Sequence, residues 1–408
     1  MSRTPGIPRL VRDRLTRTLY APFITWGWYL YGFSPAVPLI ADEQGISRGL
    51  AGLHGTAMAC GTILAGLVSS RVALRLGRRT MSLTGSAFLL VGIGLLLSGS
   101  RLPETLVGCF VIAIGGNLTI SAAQPALALH QGTAGAAAVT EANAMGAAIG
   151  LLAPLALGAA VALGWGWRPA VGLTAVLAVA SALMMGSLRA SGPLGRGAVD
   201  RAVSEAAVQG RAARAFSAAF WYFWVALLCG VGIEFSTTFW ASDLLAQRTD
   251  APGSVAAASV SALVIGMSVS RFIVGPLSRR KAPEKLLLVG FAVAAAGWLL
   301  FWVATSPALA IAGLVLAGLG YGTHYPLAIS LVMRASDGRP DQAQARSSLG
   351  TGGAVGVAPF LLGALADVFG AHAAFLLVPV LIAVGATAAG LGLRSVHRAQ
   401  FAARSRVG

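Results

Sequence analysis

Charge is scarce in this sequence, and acidic charge is the scarcest: of 408 residues 11% are charged, 14 acidic against 30 basic. Soluble domains carry roughly 25% charged residues, so an ordinary water-facing surface is excluded. With 56% hydrophobic residues and a mean hydropathy of +0.76, the chain reads as an integral membrane protein. Cysteine is nearly absent as well. Cys60, Cys109 and Cys229 all fall within apolar runs at no metal-binding spacing, which leaves them as ordinary buried thiols. The apolar runs hold no GxxxxGK[ST] loop, no paired catalytic carboxylates and no His/Asp metal cluster. A membrane enzyme, a cofactor, a metal site, and ATP as an energy source within this chain are therefore not expected. The first apolar run is long, aromatic-rich and without a small-residue cleavage pattern, so no removable signal peptide is expected.

Long apolar runs are abundant instead. A spanning helix needs about 20 mostly apolar residues to cross a core about 30 Å thick. Twelve such runs lie near residues 19 to 41, 49 to 70, 80 to 99, 103 to 127, 138 to 163, 169 to 188, 216 to 241, 252 to 277, 286 to 305, 307 to 333, 345 to 366 and 371 to 393. The basic residues sort by the side on which the connecting segments fall. Arg3, Arg9, Arg12, Arg14 and Arg17 precede the first run, and Arg394, Arg398, Arg404 and Arg406 follow the last. In all, 25 basic residues share the side of the termini and 4, Arg48, Arg101, Arg168 and Arg248, take the other, with Arg271 inside the eighth run. The positive-inside bias predicts cytoplasmic termini for a multi-pass protein of the cell (inner or plasma) membrane. The net charge of +16 is then a topology signal, and nucleic acid is not an expected partner.

The expected fold is all-α, with twelve transmembrane helices in two pseudo-symmetric six-helix bundles. The bundles take residues 19–188 and 216–393, with a cytoplasmic segment 1–18, a polar cytoplasmic linker 189–215 and a tail 394–408. Laid on each other, the halves match weakly but in order. Gly61, Leu83, Pro154 and Gly158 meet Gly266, Leu288, Pro359 and Gly363 at one offset of 205, and Gln124-Pro125 meets Tyr325-Pro326 at 201. Polarity repeats every three runs. The fourth run carries Asn117, Ser121 and Gln124 at i, i+4 and i+7, hence on one face. The seventh carries Glu234, Thr237, Thr238 and Ser242, the tenth Tyr321 and His324, and the first Trp26 and Tyr29. The third, sixth, ninth and twelfth are almost wholly apolar. A central aqueous cavity would require this period, because polar side chains in lipid are costly.

At this point the chain resembles the major facilitator superfamily of secondary transporters, over essentially its whole length in topology. The stretch SRVALRLGRRTMSL, residues 70 to 83, is similar to that family's loop after the second helix. Arg75, Gly77, Arg78 and Arg79 fit, while Ser70 stands at the Gly position and Leu74 at the Asp position. A second copy, from Gly275, keeps the Gly and a basic cluster. The resemblance implies a gating role for Arg75, Gly77, Arg78 and Arg79, with Arg271 serving the second loop contact. GAAIGLLAPLALG, residues 146 to 158, loosely resembles a Gly/Pro motif of the drug-exporting branch.

Of the acidic residues only Glu234 lies away from loops and helix ends, about 14 Å by helical rise from Asp243, the expected outer end. Apolar surroundings disfavour a charged carboxylate, so such a group can load and release protons. Glu234 is expected to couple protons or to bind a cationic or hydroxylated substrate, and His324 is the second proton candidate. Trp26, Tyr29, Asn117, Ser121, Gln124, Thr237, Thr238, Trp240, Tyr321 and His324 are expected to line the substrate site. The leading expectation is a monomeric, proton-coupled transporter of a small organic molecule, working in the lipid bilayer by rocking two bundles about a midplane site. Export of a drug-like compound or metabolite is slightly favoured. Uptake of a sugar-like nutrient and a non-transporting membrane sensor stay open as alternatives.

Overall fold

The structure, a computed structural model, describes residues 10–196, 216–277, 281–336 and 340–404. Arg3, Arg9, Asp200, Arg201, Glu205, Arg211, Arg214, Arg279, Arg280, Asp337, Arg339 and Arg406, named or counted in the charge pattern, lie outside the described residues, as does most of the linker. The described residues are helical throughout, without a strand. The helices are α1 (Arg14–Phe33), α2 (Val37–Gln44), α3 (Arg48–Ser98), α4 (Leu102–Gln131), α5 (Gly135–Gly150), α6 (Leu152–Ala162) and α7 (Arg168–Gly186). After the linker come α8 (Ala218–Thr249), α9 (Gly253–Leu277), α10 (Pro283–Val303), α11 (Pro307–Arg334), α12 (Pro340–Phe369), α13 (Ala371–Ala374) and α14 (Leu377–Arg404). Eleven segments among the described residues are long and apolar enough to cross a membrane. The twelfth span is α1, carried through a 3-10 turn at Ser34–Ala36 into α2. Pro35 makes that turn, because its ring cannot donate the helical hydrogen bond.

Local chemistry sets the helix ends. The Asp13 carboxylate accepts the Thr16 amide at 2.8 Å and caps α1. Ser217 and Ser306 accept from Phe220 and Leu309 and cap α8 and α11. The second and third runs form one helical element, α3, broken at Gly77 with φ 77° and ψ 161°. Only glycine takes that conformation without strain.

The chain divides into two compact units, and the division cuts across four spans. The first holds residues 1–30, 60–150 and 170–212, the second 31–59, 151–169 and 213–408. The first unit packs around Leu19, Phe23, Ala123, Ala126 and Leu127. In the second, Phe33 meets Phe239 edge-on at 6.5 Å and Phe301 meets Phe375 at 5.8 Å. Large apolar side chains also stand on the surface in helical stripes, such as Val289, Leu299 and Val303 on α10. Lipid-facing helices require such stripes.

Within the second unit α3 and α12 interlock through small residues. A Cβ added at Gly52 would stand 2.8 Å from the Phe360 Cα, and one at Gly363 2.6 Å from the Arg48 carbonyl oxygen. The Thr56 hydroxyl donates to the Gly356 carbonyl across the same contact at 2.7 Å. At its end Asp367 accepts the amides of Arg48 and Gly49 at 2.7 and 2.6 Å. The Arg48 guanidinium in turn meets Asp243 at 3.2 Å and Asp42 at 3.1 Å. Nearby, Arg168 grips Glu43 with two nitrogens at 2.6 and 2.7 Å. That hydrogen bond, aided by Trp167 and opposed by partial burial, holds the Glu43 carboxyl below the usual carboxylate range.

Candidate functional site

In the second unit, α8 is accessible over its first part and closed beyond it. Trp221, Trp224, Val225, Leu228 and Phe235 are partly or well exposed on one face, and Glu234 is partly exposed on a different face, whereas every residue from Ser236 to Leu245 is buried. Glu234 and Phe235 are thus the last accessible residues before the buried stretch. The Glu234 carboxylate has no hydrogen-bond or ion-pair partner among the described residues. Arg271 of α9 interacts electrostatically with Glu234 and with Tyr31 of α1, and Glu234 also acts on Tyr325 of α11. Tyr325 and Pro326 are exposed although they lie inside a helix. Four helices therefore bring a carboxylate, a guanidinium and two phenols to one place. Opposite charges so enclosed call for a polar ligand, water or each other.

The other expected residues of this unit lie elsewhere. Trp240 is 1% exposed, and its Nε1 donates to the Pro359 carbonyl at 2.8 Å. Thr237 and Tyr321 are buried, with their hydroxyls 3.2 Å apart. The Thr238 hydroxyl donates back to the Glu234 carbonyl at 2.6 Å. Thr237 and Thr238 share the face of Glu234 in sequence but lie in the buried stretch beyond it, Thr237 against Tyr321 of α11, while Trp240 packs against α12. His324 is also enclosed, 1% exposed and stacked on Phe291 of α10 at 4.2 Å. Its ring has no protein hydrogen-bond partner at either nitrogen. It packs against Gly230 of α8, one turn before Glu234, where an added Cβ would stand 2.7 Å from the His324 Cβ.

The first unit presents its own polar face. Along α4, Asn117 and Ser121 are partly exposed and Gln124 and Pro125 exposed, which is the spacing of a single helix face. The Asn117 amide is spent on the Thr62 hydroxyl of α3 at 3.0 Å. Trp26 of α1, partly exposed, packs over Gly116 and stacks on Tyr29 at 5.6 Å. Tyr29 itself is buried, its hydroxyl 3.6 Å from the Cys109 sulfur.

The loop residues hold the end of the same unit. Past the Gly77 break, Arg78 donates to the Pro193 carbonyl at 3.0 Å and Arg79 to the Gly186 carbonyl at 2.7 Å. Arg75 is exposed. Leu74, at the position of the missing aspartate, packs against the cluster of Ala65, Ala73 and Met81.

Sequence reasoning did not select Tyr31 or Tyr325. A signal for Tyr325 existed, since the internal repeat sets it opposite Gln124, and both are exposed. Arg271 was read as a loop contact, and the structure sets it beside Glu234.

A family model described as the Major Facilitator Superfamily matches residues 23–340 and again 243–405. No curated protein sequence matches the chain. Among solved structures, it is similar to a bacterial homologue of the human lysosomal transporter Spinster in an inward-facing and occupied conformation. That likeness has a TM-score of 0.75 at 15% identity and covers 94% of this chain and 96% of the other. A D-xylose-proton symporter follows with a TM-score of 0.73 at 13% identity, covering 93% and 96%. The nucleoside transporter NupG has a TM-score of 0.69 at 12% identity, covering 94% and 98%.

Proposed function

The chain belongs to the major facilitator superfamily, and from that premise we propose that it is a proton-coupled transporter in which Glu234 carries the proton. That it is a multi-pass membrane transporter of small molecules by alternating access, and not an enzyme, follows from the family itself. The finer reading rests on one observation: Glu234 lies in the middle of its span, partly exposed at the edge of the buried stretch 236–245, and its carboxylate has no bonded partner among the described residues. An intramembrane carboxylate without a fixed partner can exchange its proton for water or a ligand as access changes sides. Tyr31 and Tyr325 supply aromatic surface for an amphipathic ligand.

Export of a drug-like compound or metabolite is slightly favoured, on the single carboxylate, the aromatic surface and the Gly/Pro pattern of residues 146 to 158. Uptake of a sugar-like nutrient is the second reading, supported by the accessible Ser121 and Gln124 on α4. The charge asymmetry of 25 against 4 supports cytoplasmic termini in the cell membrane.

Infrared difference titration of the lipid-reconstituted protein tests the assignment without a known substrate. A protonated-carboxyl band that titrates in the wild type and is missing from Glu234→Gln is the expected result. Matching spectra would remove Glu234 from proton coupling.

A further inference from the structure

Each unit has a cavity at the place where the first helix of a six-helix half begins and the sixth ends. In the first unit the cavity is about 350 Å³, lined by Arg14 and Arg17 of α1 with Met184 and Ser187 at the end of α7. In the second it is about 230 Å³, lined by Ala218 and Tyr222 of α8 with Leu391, Arg394 and Arg398 of α14. The two positions correspond under the internal repeat, although the lining residues are not copies. Arg12, Asp13 and Thr18 also line the first, so it carries three arginines and the second two, and both sit where a spanning helix emerges.

The charge around them is uncompensated. In the first cavity the acidic Asp13 is already engaged by His130 at 2.7 Å and by the Thr16 amide at 2.8 Å. Arg12 is likewise taken by Glu141 at 2.7 and 2.9 Å. Arg14 meets only the Ser187 hydroxyl, at 2.9 Å. Arg17, Arg394 and Arg398 have no carboxylate partner among the described residues. Two guanidiniums thus face each cavity in search of an anion, and planar donor forks suit phosphate oxygens.

What lies below each cavity selects the anion's carrier. On α7 the exposed residues Leu173, Val176, Ala180, Leu183 and Ser187 step by three and four, an apolar stripe that runs into the first cavity. On α14 Leu376, Val380, Val384 and Leu391 do the same and continue into Arg394 and Arg398. A soluble anion would use the arginines and ignore the stripes, whereas a phospholipid uses both.

We propose that these are two matched binding sites for anionic phospholipid, the phosphate held by Arg14 and Arg17 in one half and by Arg394 and Arg398 in the other, with acyl chains along the α7 and α14 stripes. The positive-inside bias sets both in the cytoplasmic leaflet, where anionic lipid is concentrated.

Native mass spectrometry of the delipidated full-length protein, titrated with dioleoyl phosphatidylglycerol or dioleoyl phosphatidylcholine, tests this. Wild type is expected to hold two phosphatidylglycerol molecules in preference to phosphatidylcholine. Arg14→Gln/Arg17→Gln and Arg394→Gln/Arg398→Gln should each weaken one of the two by about 30-fold, from two basic contacts near an anionic headgroup. Arg71→Gln/Lys285→Gln, which removes two exposed charges away from both cavities, should leave both in place. Equal retention of the two lipids, or unchanged binding in both double variants, overturns the proposal. Displacement of the lipid by an equal concentration of inorganic phosphate overturns the lipid assignment in favour of a soluble anion.

Discussion

Asp367 occupies an adverse position on its own helix. It stands in the last turn of α12, where the helix dipole disfavours a carboxylate, and its two oxygens reach the Arg48 and Gly49 amides at 2.7 and 2.6 Å. Those amides are unpaired donors at the start of α3. Parting α3 from α12 at this end would strand both amides and the carboxylate, so Asp367 should favour the joined state. Asp367→Ala removes both acceptors and the charge. Loss of a helix cap costs about 1 kcal/mol and loss of a favourable dipole contact about 0.5 kcal/mol, for about 1.5 kcal/mol in total. That is about tenfold in the ratio of joined to parted states. A joined population of about 99% would fall to about 90%. Spin labels at Leu50 and Leu361, 44% and 41% exposed, in a background with Cys60, Cys109 and Cys229 replaced, report the separation by pulsed dipolar spectroscopy. A second, longer distance should appear in Asp367→Ala and to a lesser extent in Asp367→Asn. A folded Asp367→Ala protein with the wild-type distance distribution would refute the reasoning.

Glu43 is held below its ordinary value of 4.5, chiefly by the Arg168 hydrogen bond, so its stabilisation is present above that value and fades as the pH falls through the lowered one. Both side chains are 38% exposed, so the effect is small: the melting temperature of Glu43→Gln should fall less steeply below about pH 4.5 than that of wild type. Gly77→Ala forces a Cβ into a backbone region nearly reserved for glycine, and chemical denaturation should register a loss of roughly 1–3 kcal/mol. His324→Phe replaces a fully enclosed ring that stacks on Phe291 and should leave the infrared titration of Glu234 unchanged. A shifted or lost carboxyl band in that variant would return His324 to the proton path.

Hydropathy sufficed for the helices, because a membrane-spanning helix must satisfy its backbone internally and present apolar side chains for some 20 residues. The face shared by Asn117, Ser121 and Gln124 was readable for the same reason that any helical stripe is, from a period of 3.6. Thr237 and Thr238 show the limit of that reading. A stripe says which residues look the same way but not how far along it water reaches, and on α8 every residue from Ser236 to Leu245 is buried. Tyr31 lies beside Pro35 with no polar companion on α1, and only the fold brings Arg271 of α9 to it. The Arg48–Asp367 contact joins residues 319 positions apart, each of which reads alone as an ordinary charge at a helix end.

The α3–α12 contact is made largely of backbone, with glycines where side chains would otherwise stand. Side-chain barriers loosen gradually, one rotamer at a time, and let water or protons seep through while nominally closed. Main chain against main chain offers no such intermediate positions, so this junction is watertight or parted with little between. Widening it by a single methyl group, at Gly52 or Gly363, would have to move main chain and so loosen the whole junction at once.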